Sequence, residues 1–472
     1  MPKITFMGAG STVFVRNIIG DSLLTPALCE SEVALYDIDP TRLKESLSIL
    51  QTLNENVNQG RATLKGYLGP KNRMAALKGA NYVVNAIQVG GYKPSTVVDF
   101  EIPKKYGLRQ TIADTLGIGG IFRALRTIPV MMDFARDMEQ GCPSALLLNY
   151  SNPMAMLTPA VLRGSKIQAV GLCHSVQGCA ADLLYKLGMS ADVKHLRWKV
   201  SGINHMAWLL EIKDGEKDLY PEIKRRAAAA LARIHKTKGG PKAIRAQAEA
   251  KAKKLGKTFN ELPGDHRVAG DMVRLTMMLN FGYYITESSE HNAEYTPYWI
   301  KAGRPDLIEK FEIPLDEYPR RCIGQIAGWK QRSKEMVGNK TLTHTRGHEY
   351  GSYIMEAVET DRPFRIHGNV MNTGLITNLP AKACVEVPCM IDRNGINPCY
   401  VGDLPEACAA LNRTNINVQI LAVEAALERN RDKVYQAAFM DPHTSGELAL
   451  DQIRALCDDL IKAHGNYLPS YK

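Results

Sequence analysis

At 472 residues the chain is long enough to bury a large core, and its length predicts two lobes rather than one. Hydrophobic residues make up 45% and charged residues 23% of the sequence, which is typical of an ordinary globular protein. No apolar run reaches the roughly 18–20 residues that a membrane-spanning helix needs, so the composition argues against a membrane protein. The ten cysteines are scattered without a CxxC pair, and the first residues lack the pattern of a signal peptide. Together these features predict free thiols and a cytoplasmic location.

The net charge of +10 is concentrated in one segment. Residues 224–257 contain twelve Lys or Arg and a single Glu, so the remainder of the chain is close to neutral. The segment is rich in alanine and is interrupted by Gly239-Gly240-Pro241, which predicts two helices with a break between them. We interpret it as a solvated helical excursion, with contact to an acidic partner as the alternative. No nucleic-acid-binding motif accompanies it, and no nucleic-acid partner is predicted.

The first element is an apolar strand that leads into "MGAGSTVF", most of a G-x-G-x-x-G turn. Gly8 permits the tight bend, while Gly10 and Ser11 bring backbone N–H groups to a pyrophosphate at the start of a helix. The next strand ends at Asp37, and Asp39 follows two residues later. An acidic side chain here can accept the ribose hydroxyls and repels a 2′-phosphate, which favours NAD over NADP.

Three further apolar runs follow at βα spacing, over residues 80–91, 144–154 and 166–175. Each ends in small or polar residues, as expected where parallel strands present their carboxyl ends to a ligand. The Gly90-Gly91 pair would let the backbone pass close to the nicotinamide ribose. These runs predict an α/β fold with a Rossmann-type doubly wound parallel sheet, similar to that of lactate and malate dehydrogenases, followed by a mixed α+β domain.

We predict an NAD-binding domain over residues 1–195 and a substrate-, metal-binding and oligomerisation domain over residues 196–472. In the second domain, "VEVPCMIDRNGINP" (385–398) predicts a hairpin with its turn at Asn394-Gly395. Residues 414–442 have helical periodicity, and a final helix is expected near 448–464.

Cys173 and His205 follow apolar strands and lie 32 residues apart. A thiolate and an imidazole are suitable ligands for a divalent first-row metal, although a packed cysteine and a hydrogen-bonded core histidine explain the same residues. His174 stands directly beside Cys173, so the pair could also be a nucleophile with its base. Asn152-Pro153 forms a turn that could aim an amide into the cleft, and Asp114 heads a Gly-rich loop.

Eight motifs in matching order resemble glycoside hydrolase family 4. They are "MGAGSTVF", "DIDPTRL", "ADTLGIGGIFRALRTIP", "NYSNPMAM", "VGLCHSVQG", "GINHMA", "TESSEHNAEYTPYW" and "LNRTNINVQ". Within that family, "CHSVQ" and "SSEHNAEY" resemble the α-galactosidase branch most. The family is NAD-dependent and an exception to the two-carboxylate scheme of glycosidases.

The resemblance implies hydrolysis of terminal α-galactosides through oxidation at C3 of the sugar, loss of the C2 proton, elimination of the aglycone and addition of water, with NAD and Mn²⁺ as cofactors. It implies that Cys173 and His205 bind the metal and that Asn152 binds the substrate. His174 occupies the position of a general acid, and Asp114 lies where relatives support the catalytic base. The base itself is left open between a residue of the segment 283–295 and a metal-bound hydroxide.

The resemblance also places Glu290 and His291 at the substrate site, and Lys93 could hydrogen-bond a hydroxyl or an anionic group of the sugar. An α-galacturonidase or α-glucuronidase is the nearest alternative, because cationic side chains could equally serve a uronic acid. An NAD-dependent sugar dehydrogenase and a non-catalytic dinucleotide sensor are the alternatives from other classes. The expected partner is a small-molecule α-galactoside, and the resemblance implies a homodimer or homotetramer.

Overall fold

Thirteen strands form one sheet in the computed structural model, which describes residues 1–472. In chain order they are β1 (Lys3–Met7), β2 (Glu32–Asp37), β3 (Thr63–Leu68), β4 (Tyr82–Asn85), β5 (Leu146–Asn149), β6 (Gln168–Leu172), β7 (Leu196–Ile203), β8 (Met206–Asp214), β9 (Lys217–Asp218), β10 (Tyr284–Ile285), β11 (Phe364–Met371), β12 (Cys384–Asp392) and β13 (Gly395–Pro398).

Nineteen α-helices connect or cover these strands. They are α1 (Thr12–Leu23), α2 (Pro40–Asn58), α3 (Arg73–Leu77), α4 (Val97–Lys105), α5 (Gly117–Gly141), α6 (Met154–Gly164), α7 (Cys179–Lys186), α8 (Tyr220–Lys236), α9 (Gly240–Lys254), α10 (His266–Ala269), α11 (Met272–Phe281), α12 (Ser289–Ala293), α13 (Asp306–Lys310), α14 (Glu317–Gly338), α15 (Tyr350–Thr360), α16 (Glu406–Glu428), α17 (Arg431–Met440), α18 (Pro442–Glu447) and α19 (Leu450–His464). None of these helices is both long and apolar enough to cross a membrane.

The first six strands confirm the predicted doubly wound sheet. They pair in parallel in the order β3-β2-β1-β4-β5-β6. β1, β4 and β5 are almost fully buried, which is why their sequences are continuous apolar runs rather than alternating patterns. The strand order reverses between β1 and β4, and such a reversal opens a ligand crevice at the carboxyl ends of the strands.

The later strands extend the same sheet beyond β6. β11 pairs antiparallel with β6, and β12, β7, β8 and β10 follow outward. A single core cluster of 121 buried residues includes side chains from both sides of residue 195. The predicted boundary falls in the link between α7 and β7, and the division into two domains stays a prediction.

The structure contains the two predicted basic helices, the predicted hairpin and the predicted late helical segment, with differences in their bounds. The basic segment forms two helices, α8 and α9, as predicted, but the break spans residues 237–239, and Gly240 and Pro241 begin α9. The 385–398 hairpin is confirmed, but its turn is Arg393-Asn394, since Asp392 pairs with Gly395 and glycine takes φ +93° as the first residue of β13. The predicted helix 414–442 is two helices, because the chain turns at Arg429 with φ +57°.

A buried ion pair ties α4 to α5 and to the C-terminal helix. Arg126 donates two hydrogen bonds to Asp99, at 3.0 and 2.6 Å, and a third at 3.1 Å to the carbonyl of Val89, the residue before Gly90. His464 Nε2 lies 3.0 Å from the same Asp99 carboxylate. Asp99 and Arg126 are 2% and 1% exposed, so water does not solvate either charge.

Asp99→Ala is therefore expected to lower the free energy of unfolding by about 3–5 kcal/mol, because it leaves a buried guanidinium without its counter-charge. Thermal unfolding of the variant measures the effect. The matched control is Asp133→Asn, which removes an exposed carboxylate that pairs with Arg136 and should change stability by less than about 1 kcal/mol. Equal shifts for the two variants would contradict the prediction.

Candidate active site

The βα turn after β1 has the geometry of a dinucleotide cradle. Gly8 adopts φ +89°, and a Cβ there would lie 2.8 Å from the carbonyl oxygen of Ala86. The N–H of Gly10 donates to Asp37 Oδ2 at 2.6 Å, which brings the glycine turn and the acidic residue together as predicted. Ser11 immediately precedes α1. The residues therefore fit a dinucleotide whose phosphates approach bare backbone at this turn.

Asp39 has a second task in the structure. Its side chain caps α2 by accepting hydrogen bonds from Thr41 N–H at 2.9 Å and Arg42 N–H at 3.0 Å. The carboxylate of Asp37 also accepts from Asp39 N–H at 2.8 Å. A helix cap explains Asp39 without a ligand, and its contact with ribose stays a prediction.

The Gly90-Gly91 pair lies in the loop after β4. Gly90 has φ +78°, and a Cβ there would overlap the hydroxyl of Ser95. Gly91 has φ +57° with open space around its Cβ position, consistent with a backbone that passes close to a ligand. Lys93, in the same segment, is exposed, and its contact with the sugar stays a prediction.

Gly10→Ala tests the cradle. The added methyl group would lie 2.8 Å from Asp37 Oδ2 and 3.0 Å from Arg42 Cβ, so Asp37 must shift away from its position at the end of β2. We expect NAD affinity to fall at least about tenfold, equivalent to about 1.4 kcal/mol, while the fold stays intact. NAD titration followed by protein fluorescence measures it. Gly324→Ala on exposed α14, where a Cβ meets nothing within 4 Å, is the control and should leave NAD binding unchanged.

Cys173, His205 and Glu287 form a group of three potential metal ligands. Cys173 follows β6, His205 stands in the tight turn between β7 and β8, and Glu287 follows β10. Cys173 Sγ lies 3.3 Å from His205 Nε2, which in turn lies 3.5 Å from Glu287 Oε2. All three ligand atoms lie within 4.8 Å of one another, so one divalent ion could contact all of them.

The backbone at two of these ligands is held in an uncommon conformation. His205 has φ +64° and Glu287 has φ +68°, both in the left-handed region that non-glycine residues rarely occupy. Such a conformation costs free energy and persists where surrounding structure imposes it, often at functional sites. Here the turns aim a histidine and a carboxylate at the same point.

A hydroxyl sets the orientation of the His205 ring. Thr115 donates its proton to Asp114 Oδ1 at 2.8 Å, because a carboxylate can only accept. The same hydroxyl lies 3.1 Å from His205 Nδ1, where it must therefore accept the N–H of the ring. Tyr295 OH lies 3.2 Å from the same nitrogen. With one proton on Nδ1, the ring presents Nε2 to Cys173, where a bound metal ion would take the place of the second proton.

The electrostatics of this group favour a cation. Burial by itself lowers the pKa of His205, but Cys173, Glu287 and Asp114 outweigh it and raise that pKa to about 10. Burial raises the pKa of Glu287, whereas His205 and His291 hold it below its usual value. A site that attracts a proton this strongly also attracts a metal ion in its place.

His291 and Asp114 line the group on one side. The rings of His291 and His205 have centroids 4.9 Å apart, and His291 Nε2 lies 3.6 Å from Asp114 Oδ1. Burial alone would raise the pKa of Asp114, but His291 and Arg123 hold it well below its usual range. Asp114 is therefore ionised. The structure brings both predicted residues to the ligands.

Asn152 is linked to Asp114 through Arg123, whose charge helps to hold the pKa of Asp114 low. Arg123 Nε donates to the carbonyl of Asn152 at 3.1 Å, and the Asn152 side chain accepts from Met154 N–H at 3.3 Å. The amide nitrogen of Asn152 is left free for a ligand. Glu290, by contrast, ion-pairs with Arg321, and it lines a cavity with residues of α9 and α14 rather than joining the group of three potential ligands.

His174 points away from Cys173 and pairs with a residue that sequence reasoning did not identify. Its Nε2 lies 2.7 Å from Glu349 Oε2, and the His174 side chain is 57% exposed. The hydrogen bond to Glu349 raises the pKa of His174 although burial opposes it. Cys173 contacts His205 instead of His174, so the nucleophile–base pair is not formed. His174 and Glu349 are 175 positions apart, and no motif in the sequence indicates that they pair.

The chain matches two models of one family, the "Family 4 glycosyl hydrolase" model over residues 3–189 and the "Family 4 glycosyl hydrolase C-terminal domain" model over residues 200–444. It is 56% identical to an alpha-galactosidase of Bacillus subtilis (strain 168), over 100% of both chains. It is 32% identical to an alpha-galactosidase of Rhizobium meliloti (strain 1021), over 99% of this chain and 89% of that one. A 6-phospho-alpha-glucosidase from gut microorganisms, solved with NAD and Mn²⁺, superposes with a TM-score of 0.76 at 21% identity over 100% of both chains. This chain belongs to family 4 of the glycosyl hydrolases.

Proposed function

We propose that the protein is an NAD- and Mn²⁺-dependent α-galactosidase. The observation that carries the proposal is the group of Cys173, His205 and Glu287 at the edge of the sheet where the carboxyl ends of the parallel strands lie. The dinucleotide turn after β1 opens onto that same edge. A hydrolase with full-length similarity to an alpha-galactosidase thus has a place for a hydride acceptor and for a metal ion.

When bound, NAD would supply a hydride acceptor for the sugar and Mn²⁺ would supply a Lewis acid for its oxygens. In our proposal Cys173, His205 and Glu287 hold the metal, and Asn152 orients the sugar. His174, protonated and paired with Glu349, donates a proton to the oxygen of the leaving group.

The group that removes the C2 proton comes, in this proposal, from the segment 283–295. That segment brings Glu287, His291 and Tyr295 to the metal ligands, and Ser288 donates to or accepts from His291 Nδ1 at 2.8 Å. Asp114 supports this segment electrostatically by its contact with His291. Single substitutions of Glu287, His291 and Tyr295 distinguish which of these side chains removes the proton.

The charges around the site support a neutral sugar rather than a uronide or a phosphosugar. Two arginines approach the site, and both are engaged by protein groups. Arg123 donates to the Asn152 carbonyl and to Tyr318 OH, and Arg274 donates to Asp271. The anionic side chains Glu287 and Asp114 would repel a carboxylate or phosphate.

We further propose that the enzyme acts on a small-molecule α-galactoside in the cytoplasm, as a homodimer or homotetramer. The ten cysteines are all free in the structure, which suits a reducing compartment. Size-exclusion chromatography with light scattering measures the oligomeric state.

The test of function is hydrolysis of 4-nitrophenyl α-galactoside with NAD, Mn²⁺ and a thiol reductant omitted one at a time. Activity is expected only when both cofactors are present, and deuterium at C2 should slow turnover or exchange with solvent. Activity that persists without both would contradict the proposal. A matching α-galacturonide distinguishes the uronidase alternative, and steady accumulation of NADH with the sugar would indicate a dehydrogenase instead.

A further inference from the structure

Glu294 is a buried carboxylate that forms no ion pair. It is 1% exposed, and its oxygens accept hydrogen bonds from three successive backbone N–H groups. Oε2 accepts from Thr111 at 2.8 Å and from Ile112 at 3.2 Å, and Oε1 accepts from Ala113 at 2.8 Å. Successive N–H groups that converge in this way form an anion-binding nest. Burial raises the pKa of Glu294 to about 7 although these backbone N–H groups oppose it, and the carboxyl group is held by the backbone of residues 111–113.

This clamp fixes the loop in a conformation that it would not hold alone. Ala113 has φ +54°, in the left-handed region that alanine rarely adopts. A second bond, from the Thr111 hydroxyl to the carbonyl of Glu290 at 2.7 Å, ties the same loop to α12. Without Glu294 three buried N–H groups would lose their acceptor, and the loop would relax towards an ordinary backbone conformation.

The loop leads directly into two residues of the site. Asp114 and Thr115 follow Ala113, and the Thr115 hydroxyl holds Nδ1 of His205 at 3.1 Å. The contacts form a continuous path from Glu294 through the loop and Thr115 to the His205 ring. Removing a group that orients a metal-ligating histidine typically lowers metal affinity about 10–100-fold.

From this path we infer that Glu294 is a positioning residue for metal binding: it holds the 111–113 loop so that Thr115 fixes the His205 ring with Nε2 towards the metal. Glu294 is not one of the three potential metal ligands. The inference rests on the metal role proposed for Cys173 and His205, and it adds a residue that acts on that site from a distance.

Glu294→Gln tests the inference, because an amide presents one acceptor oxygen and one NH₂ group where the loop needs two acceptors. We expect Mn²⁺ affinity, measured by EPR of free Mn²⁺, to fall about 10–100-fold. NAD affinity, measured by protein fluorescence, should change less than about twofold, because the NAD turn lies in a different part of the structure. Glu309→Gln, an exposed carboxylate on α13, is the matched control and should change neither.

Thr115 provides a second test that does not depend on how well Glu294→Gln folds. Thr115→Val removes the hydroxyl at nearly the same volume and should lower Mn²⁺ affinity by a similar factor, whereas Thr115→Ser keeps the hydroxyl and should restore most of it. In the double variant Glu294→Gln/Thr115→Val, the losses should not add, because both changes break one path.

The outcomes separate this inference from the proposed function. If wild-type protein bound no Mn²⁺, the metal role in the proposed function would fail. If wild-type protein bound Mn²⁺ and both Glu294→Gln and Thr115→Val bound it equally well, the positioning role alone would be overturned. Equal losses of Mn²⁺ and NAD affinity would also overturn it, since they would indicate a general loss of structure.

Discussion

Replacing Cys173 by serine is expected to lower kcat/KM for 4-nitrophenyl α-galactoside by about 10³-fold, the effect of losing about 4 kcal/mol of transition-state stabilisation. Mn²⁺ affinity should fall with it. The thiolate is the only sulfur ligand in the group, and a serine hydroxyl is a much weaker donor for a first-row metal. The loss of Mn²⁺ binding is measured by EPR and the loss of activity by release of nitrophenol.

The matched control is Cys399→Ser. Cys399 is also a free cysteine of intermediate burial, and it is not among the metal ligands, so its replacement should leave activity and Mn²⁺ binding unchanged. Hydrogen peroxide should inactivate the wild-type enzyme, since an oxidised sulfur cannot serve as this ligand. Full activity of Cys173→Ser at wild-type Mn²⁺ concentrations would contradict the metal role.

His174→Asn is expected to show the second large effect, and one that depends on the leaving group. With methyl α-galactoside, whose alkoxide is a poor leaving group, kcat/KM should fall about 10²–10⁴-fold because general acid assistance is lost. With 2,4-dinitrophenyl α-galactoside, whose phenolate leaves unaided, the fall should be less than about tenfold. Steady-state kinetics on the two substrates measure the difference.

Glu349 and a distant histidine provide the controls for this prediction. Glu349→Gln removes the anionic partner of His174 and should give the same leaving-group dependence with a smaller loss. His195→Asn replaces a histidine remote from the metal ligands and should change neither substrate. Equal losses on both substrates for His174→Asn would exclude its role as the acid.

The sequence predicted the strands of the first half of the fold well, because parallel strands that are buried on both faces consist of continuous apolar residues. The runs that became β1, β2, β4, β5 and β6 were all identified, and the glycine turn indicated the dinucleotide crevice. The helix at 414–442 was predicted too long, because the break at Arg429 depends on a left-handed residue that carries no glycine signal.

For the site, the motifs identified residues that lie beside strand ends and missed those whose role depends on distant contacts. Cys173, His205, His291 and Asp114 were predicted and are brought together. Glu290 was predicted at the substrate site, yet its carboxylate pairs with Arg321, because a short helix turns it outward from the ligands. The sugar contacts of Lys93 and Asn152 stay predictions.

By itself, the sequence determined the parallel sheet and the dinucleotide turn, since each depends on residues close together along the chain, and its family resemblance indicated two of the three candidate metal ligands. The tertiary structure decided which side chains from distant parts of the chain lie in contact. It brought Glu287 to Cys173 and His205, Glu349 to His174, and Glu294 to the 111–113 loop. Those pairs are separated by 82 to 183 positions along the chain, and only the path of the backbone through the folded sheet brings each pair within 4.8 Å.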